Sequence, residues 1–179
     1  QVQGGAQLNF GGNGGSSACS ATTWMCVRKS VNIVVLGSHP LVYEMASGSR
    51  RFFHVKAGVE ARIEGMTLQN ARITDENGGA FWVDGKGVCV EGWVVGNHAA
   101  KGGGYFITSN GEVEMITGGG SSNTATVGGY FVHVVVGGRL SLQNTNVGLG
   151  NKWGIQKENA DGSVQNLKNW GQVQNFEFP

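Results

Sequence analysis

The sequence predicts an all-β fold, a right-handed parallel β-helix of about five turns, each a three-strand coil of about 25–27 residues between irregular terminal caps. Three observations predict it. Gly79, Gly104, Gly129 and Gly154 recur at one constant interval, and the first three close glycine pairs that run into Ala-Phe-Trp-Val, Tyr-Phe-Ile and Tyr-Phe-Val. A fixed period in this range, with a strand-like run after each punctuation, marks stacked supersecondary units. Ala61, Val88, Val113 and Leu140 repeat at nearly the same interval, and Ile63, Val90, Met115 and Leu142 follow two positions later, the period-2 pattern of a strand with one buried face. Finally, 32 glycines among many Val, Phe and Tyr disfavour a helical solenoid. A leucine-rich horseshoe lacks its leucines here, and propeller blades need about 40 or more residues each.

In chain order, residues 1–29 form an N-terminal cap. Gly11 to Ser17 has a linker composition, and Trp24 and Met25 are suited to plugging the open end of the stack. Residues 30–151 form the solenoid, with a less regular coil from Ser30 to Tyr43 and clear coils from about residue 50. Leu68, Val95 and Val147 mark a second strand run, with Gly120 in the equivalent place of the third unit; Asn70, Asn97 and Ser122 follow as turn residues. The third run carries the predicted core stack, Phe81, Phe106 and Phe131 in one column, joined by Phe53 through Val55 and Val83. Residues 152–179 lose the period. Trp153, Trp170, Phe176 and Phe178 there read first as a cap over an exposed apolar cross-section.

The segments Gly65-Met66-Thr67-Leu68-Gln69-Asn70 and Gly78-Gly79-Ala80-Phe81, and a second copy at Leu140-Ser141-Leu142-Gln143-Asn144, resemble the repeats of polymorphic outer-membrane and autotransporter-type passenger domains, within the pectin-lyase-like β-helix superfamily. The resemblance covers roughly residues 50 to 151 and implies fold more than activity. Gly-Gly-Ala becomes Gly-Gly-Tyr in the next two units, a departure from that pattern.

One domain accounts for 179 residues. A net charge of +1 with 14% charged residues gives no field for nucleic acid, and no apolar run reaches the ~18 residues of a spanning helix. A chain that opens on Gln1 without a signal-like segment is expected to be a processed product or a trimmed fragment, most simply a protein matured after export or organelle import. For Cys19 and Cys26, a short disulfide pinning the cap and two free thiols both fit. Cys89, between inward Val88 and Val90, is expected outward with Arg62, Glu114 and Ser141. The four histidines show no metal-ligand spacing with the cysteines, so neither metal nor cofactor is expected.

Catalysis is not expected either. The whole chain has three aspartates, Asp75, Asp84 and Asp161, and the first two sit in ordinary turn positions, whereas glycosidase chemistry needs two carboxylates at a set separation. Glu60, Glu64, Glu91, Glu112 and Glu114 alternate with apolar residues and read as a solvated face with Arg62 and Arg139. His133 reads as a partly buried, satisfied histidine. With the phenylalanines inward, Trp82, Ile107 and Val132 form an outward strip flanked by Tyr105 and Tyr130, the candidate partner-binding residues. The favoured expectation is a non-catalytic structural or binding module that docks to a protein partner or larger assembly through a flat sheet face, exported, on the cell surface or in an organelle lumen. Carbohydrate action or binding and ice binding are the alternatives, the last lacking a regular Thr-x-Thr ladder.

Overall fold

The computed structural model describes residues 2–3, 19, 22–36, 41–45, 50–148, 154–167 and 171–178. The Gly11 to Ser17 segment, Trp153 and Trp170 lie outside them. After β1 (Val2–Gln3) the strands run coil by coil: β2 (Thr23–Val27), β3 (Val31–Leu36) and β4 (Leu41–Glu44); β5 (Arg51–Val55), β6 (Glu60–Glu64) and β7 (Met66–Gln69); β8 (Phe81–Val83), β9 (Lys86–Val95) and β10 (His98–Lys101); β11 (Tyr105–Ile107), β12 (Glu112–Ser121) and β13 (Thr124–Gly128); β14 (Val132–Val134) and β15 (Arg139–Val147). Three closing strands follow, β16 (Ile155–Glu158), β17 (Val164–Leu167) and β18 (Gly171–Phe178).

Each strand pairs in parallel with its counterpart one coil away, which makes a β-solenoid of about 5 turns with no helix among the described residues. A large sheet of nine strands runs β1-β3-β6-β9-β12-β15-β18, with β4 and β7 beside it; a second sheet of seven runs β2-β5-β8-β11-β14-β16-β17; β10 and β13 form a short third. The two major sheets enclose one apolar core. Stacking begins at β2 and reaches β16, inside the segments expected to be caps. Only β17 and β18 reverse, pairing antiparallel to β16 and β15.

The corners explain the glycine and asparagine content. Gly65, Glu91, Thr117 and Asn144 hold φ of 70, 51, 61 and 49°, and Asn70, Gly96 and Ser122 hold 64, 64 and 56°. One left-handed residue per coil at each place turns the strand, where glycine costs nothing and Asn is tolerated. The column after the second corner is internal. Asn97 and Asn123 are fully buried, and Asn97 Nδ2 donates to Leu68 O (3.1 Å) and Asn123 Oδ1 (3.1 Å), while its Oδ1 accepts the Ala71 N–H (2.9 Å). Asn70, Asn97 and Ser122 therefore occupy two columns, one turning the chain and one bonding its buried backbone.

The predicted phenylalanine column divides into three. By register Phe53, Phe81, Tyr105, Val132 and Ile155 stack inward. Phe53–Phe81 and Phe81–Tyr105 rings lie 5.1 and 4.7 Å apart, stacked and nearly parallel. Phe106 belongs instead to the neighbouring outward column. Phe131 falls in a bulge that recurs in every coil, where two successive N–H groups share one carbonyl: Phe52 and Phe53 on Ala80 O, Ala80 and Phe81 on Gly104 O, Gly104 and Tyr105 on Phe131 O, Phe131 and Val132 on Gly154 O. The bulge column thus reads Phe52, Ala80, Gly104, Phe131, Gly154, large residues separated by small ones. A Cβ at Gly120 would stand 2.1 Å from the Phe131 ring, so this ring fills the space that Leu68, Val94 and Val147 fill in the other coils.

Candidate interaction surface

The inner column moves the candidate residues. Tyr105, Ile107 and Val132 are core, each 1% exposed or less, and Tyr130 is half-buried; of the expected strip only Trp82 faces outward and is partly exposed. The glycine pairs misled because the coils are unequal. Along the inner column the steps from Phe53 to Phe81 and from Tyr105 to Val132 are long, and those from Phe81 to Tyr105 and from Val132 to Ile155 are short. The left-handed corner glycines are accordingly Gly78, Gly102 and Gly129. The true outward column is His54, Trp82, Phe106, His133 and Gln156.

These outer rings stack on one another, with centroids at 5.5 Å (His54–Trp82), 5.0 Å (Trp82–Phe106) and 5.4 Å (Phe106–His133). Charged groups close over them. The Arg51 guanidinium lies 5.0 Å from the Trp82 ring, donates to Asn77 O (2.7 Å) and pairs with Glu76, which also accepts from Thr22 Oγ1 (3.0 Å). Asp84 accepts Trp82 Nε1–H (2.8 Å) and His54 Nε2 (2.7 Å), with Lys56 Nζ at 3.7 Å. Farther along, His133 meets Gln156 Oε1 (3.0 Å) and Glu158 Oε1 (2.9 Å), and Lys101 donates to the same Glu158 oxygen (2.8 Å).

The electrostatics follow. Burial alone pushes the Asp84 carboxyl up, but hydrogen bonds from His54 and Trp82, then the His54 charge and Thr108, outweigh it and hold the group at about 2. The Lys101 hydrogen bond chiefly keeps Glu158 below the carboxylate range, against burial. Burial drives His133 below its usual value, and Glu158 opposes this. A carboxyl held ionised at about 2 is a poor proton donor near neutrality, and His133, 1% exposed, does not reach solvent. The arrangement orders this outer face. Sequence reasoning passed over Arg51, Glu76, Lys56, Lys101 and Glu158. The signals were the His54-x-Lys56 and Trp82-x-Asp84 spacings, which become meaningful once the register sets them side by side.

The outer face of the large sheet differs. One column reads Glu60, Lys86, Glu112, Arg139, the next Arg62, Val88, Glu114, Ser141, and the third Glu64, Val90, Ile116, Gln143. Lys86 Nζ pairs with Glu112 (3.2 Å) and Glu114 (3.7 Å), Arg62 with Glu64 (3.6 Å), and Gln143 Nε2 donates to Glu114 (3.1 Å). Beyond the corner, Trp93 stands between Thr67 and Gly119, and Val95 beside Gln69. Val90 and Ile116 before the corner, and Trp93 and Val95 after it, are all half-exposed, two apolar pairs flanking the bend, with the charged ladder along the side of the first pair.

Cys89 corrects another expectation. It stacks inward between Ile63 and Met115, accepts the Tyr105 hydroxyl (3.2 Å), and burial pushes its thiol up to about 11; Val88 holds the place beside Arg62 and Glu114. Lys86-Gly87 aligns with Glu60-Ala61, so the repeat in β9 lies one residue earlier than its apolar residues suggest. Cys19 and Cys26 form a disulfide, with Cα atoms 5.9 Å apart, that ties residue 19 to β2. Among the described residues no group of three or more His, Cys, Asp or Glu is placed to hold a metal ion, and no helix is long and apolar enough to cross a membrane.

No family model matches this chain, and no curated protein or solved structure matches it either.

Proposed function

We infer that the chain is a non-catalytic binding module that docks to a protein partner through the outer face of its large sheet. One observation carries this: Val90 and Ile116 on one side of the Glu91–Thr117 corner, and Trp93 and Val95 on the other, leave half-exposed apolar side chains on the sheet's outer surface, and the alternating ladder of Glu60, Lys86, Glu112 and Arg139 runs beside the first pair. An apolar centre with a polar rim is the anatomy of a protein interface, and contiguous apolar surface that no core needs is where contact is expected. The Gly-Gly-Ala-Phe and Leu-x-Leu-Gln-Asn repeats support a place among the pectin-lyase-like β-helices, and the Cys19–Cys26 bridge supports an oxidising compartment, outside the cell or in an organelle lumen. Affinity capture from the native source tests the surface. Ile116→Lys and Trp93→Glu are expected to keep the β-sheet circular dichroism and lose the proteins that the wild-type chain retains; a partner held equally by both variants sinks the reading.

A second reading, binding of an acidic polysaccharide, is favoured by the partly exposed Lys56 and Lys101 beside the outer rings of the second sheet. Quenching of tryptophan fluorescence by oligogalacturonate, lost in Lys56→Glu, is its signature.

A further inference from the structure

The two antiparallel strands that close the solenoid carry an inference of their own. β17 is the last strand of the second sheet and β18 the last of the large sheet, and among the described residues no further strand pairs with the outer edge of either. An edge as long as the eight residues of β18 is a template for another chain unless lysine, proline or a covering segment blunts it. Gly171–Phe178 holds no lysine, arginine or proline and one charge, Glu177. The opposite end differs: β1 has two residues, and β2 is tied by the disulfide.

The sequence of the closing strands is more specific than their exposure. β17 reads Val164-Gln165-Asn166-Leu167, and the centre of β18 reads Val173-Gln174-Asn175-Phe176. Both tetrads are apolar, Gln, Asn, apolar, so each is self-complementary when laid antiparallel on itself. In β18 that register pairs Gln174 with Asn175, Val173 with Phe176, Gln172 with Glu177 and Gly171 with Phe178, and it sets the lone acid opposite a neutral amide in place of its own copy. One two-fold axis that met both the middle of β18, at the Asn144 corner, and the middle of β17 on the second sheet would pair the two edges at once. We propose that two copies of this chain associate end to end through β17 and β18, each sheet continuing antiparallel into the sheet of its partner copy. The contact is isologous and uses up both edges, so it closes at two copies and does not propagate into a fibre.

Sedimentation equilibrium of the full chain, with hydrogen exchange at several concentrations, tests this. The wild-type chain is expected to be a concentration-dependent dimer whose β18 amides gain protection as the dimer forms. The register makes a two-sided forecast. Gln172→Lys sets a lysine opposite Glu177 of the partner copy twice over and tightens the dimer, and Gln172→Glu sets two acids opposite each other and loosens it, each by about two- to thirtyfold. The double variant Gln165→Lys/Gln174→Lys, with like charges near the axis, is expected to be a monomer with unchanged near-ultraviolet circular dichroism. A monomeric wild-type chain at millimolar concentration overturns the proposal. So does a dimer indifferent to residue 172, or one abolished by Ile116→Lys, which would place the contact on the large sheet's outer face. Should the double variant misfold, the wild-type exchange data and the residue 172 pair still decide.

Discussion

Strands β5, β8, β11 and β14 show the same residue types under two regimes. On their inner side Phe53, Phe81, Tyr105 and Val132 stack in an apolar core; on their outer side, one residue along, His54, Trp82, Phe106 and His133 stack in the same ladder. The inner column is held by packing, with one hydrogen bond from Tyr105 to Cys89. The outer one is roofed by Arg51–Glu76, His54–Asp84 and Lys101–Glu158. Stacked coils place like residues over like, so rings on either face contact each other; what differs is whether carbon or charge covers them.

Breaking the inner column has the largest effect. Phe81 is 1% exposed and lies between Phe53 and Tyr105, so Phe81→Ala is expected to lose about 3–5 kcal/mol through transfer energy and a cavity. Phe106→Ala, on the outer side, is expected to lose about half as much, because water and the neighbouring long side chains partly refill the space. Urea denaturation of both variants checks the contrast, and equal losses would erase it.

The bulge column gives the next effect. Gly120→Val drives a side chain into the Phe131 ring and is expected to cost about 2–3 kcal/mol by overpacking. Phe131→Val alone leaves a cavity and costs a similar amount. Since the two positions share one space, the double variant is expected to be more stable than the sum of the two losses by about 1 kcal/mol or more in a double-mutant cycle. Strict additivity would mean that the ring does not occupy the gap left at Gly120.

The outer column is set apart by acid. Asp84 sits at about 2 in the folded chain against about 3.9 unfolded, so its contribution is complete above about pH 4 and is lost as pH falls toward 2, about 2 kcal/mol at most. For His133 the folded ring binds its proton less readily than the unfolded ring, so stability begins to fall as pH drops below about 6.5. Stability measured against pH should therefore show two acid limbs. Asp84→Asn is expected to shrink the lower, to which Glu158 also contributes, His133→Gln removes the upper, and Phe81→Ala changes neither.

The fold was legible because a fixed repeat length and alternation within strands report stacking directly. The register was not. Glycine pairs look equivalent in the sequence, yet the corner glycine falls one residue early at Gly102 and late again at Gly129, enough to exchange the two faces of β11 and β14: Ile107 and Val132 turned into the core, and Phe106 turned to the outer column. The recurring bulge hid Phe131 in the same way. Charge clusters were illegible for a related reason: Arg51 and Glu76, or Lys101 and Glu158, are 25 and 57 residues apart and meet only after coils of unequal length stack. The disulfide was an open alternative because spacing alone does not distinguish a bridge from two thiols.

The smallest effect is expected on the large sheet, whose outer charges cover no ring ladder. Lys86 lies between Glu60 and Glu112, and the Glu112 hydrogen bond first, then its charge and those of Glu114 and Glu60, hold the ammonium above its ordinary value despite some desolvation. The Lys86 and Glu112 side chains are both more than a third exposed, so solvent screens them. Lys86→Glu turns the column into three successive acids and is expected to cost about 1 kcal/mol at low ionic strength. Most of that loss should vanish in about 1 M salt, where the screening length falls to about 3 Å. Substituting Asp84 on the second sheet should respond far less to salt, since its partners are fixed hydrogen bonds in a half-buried site. A Lys86→Glu penalty that persists in high salt would show that the ladder is packed as tightly as the roof over the rings, and the difference between the two faces would reduce to composition.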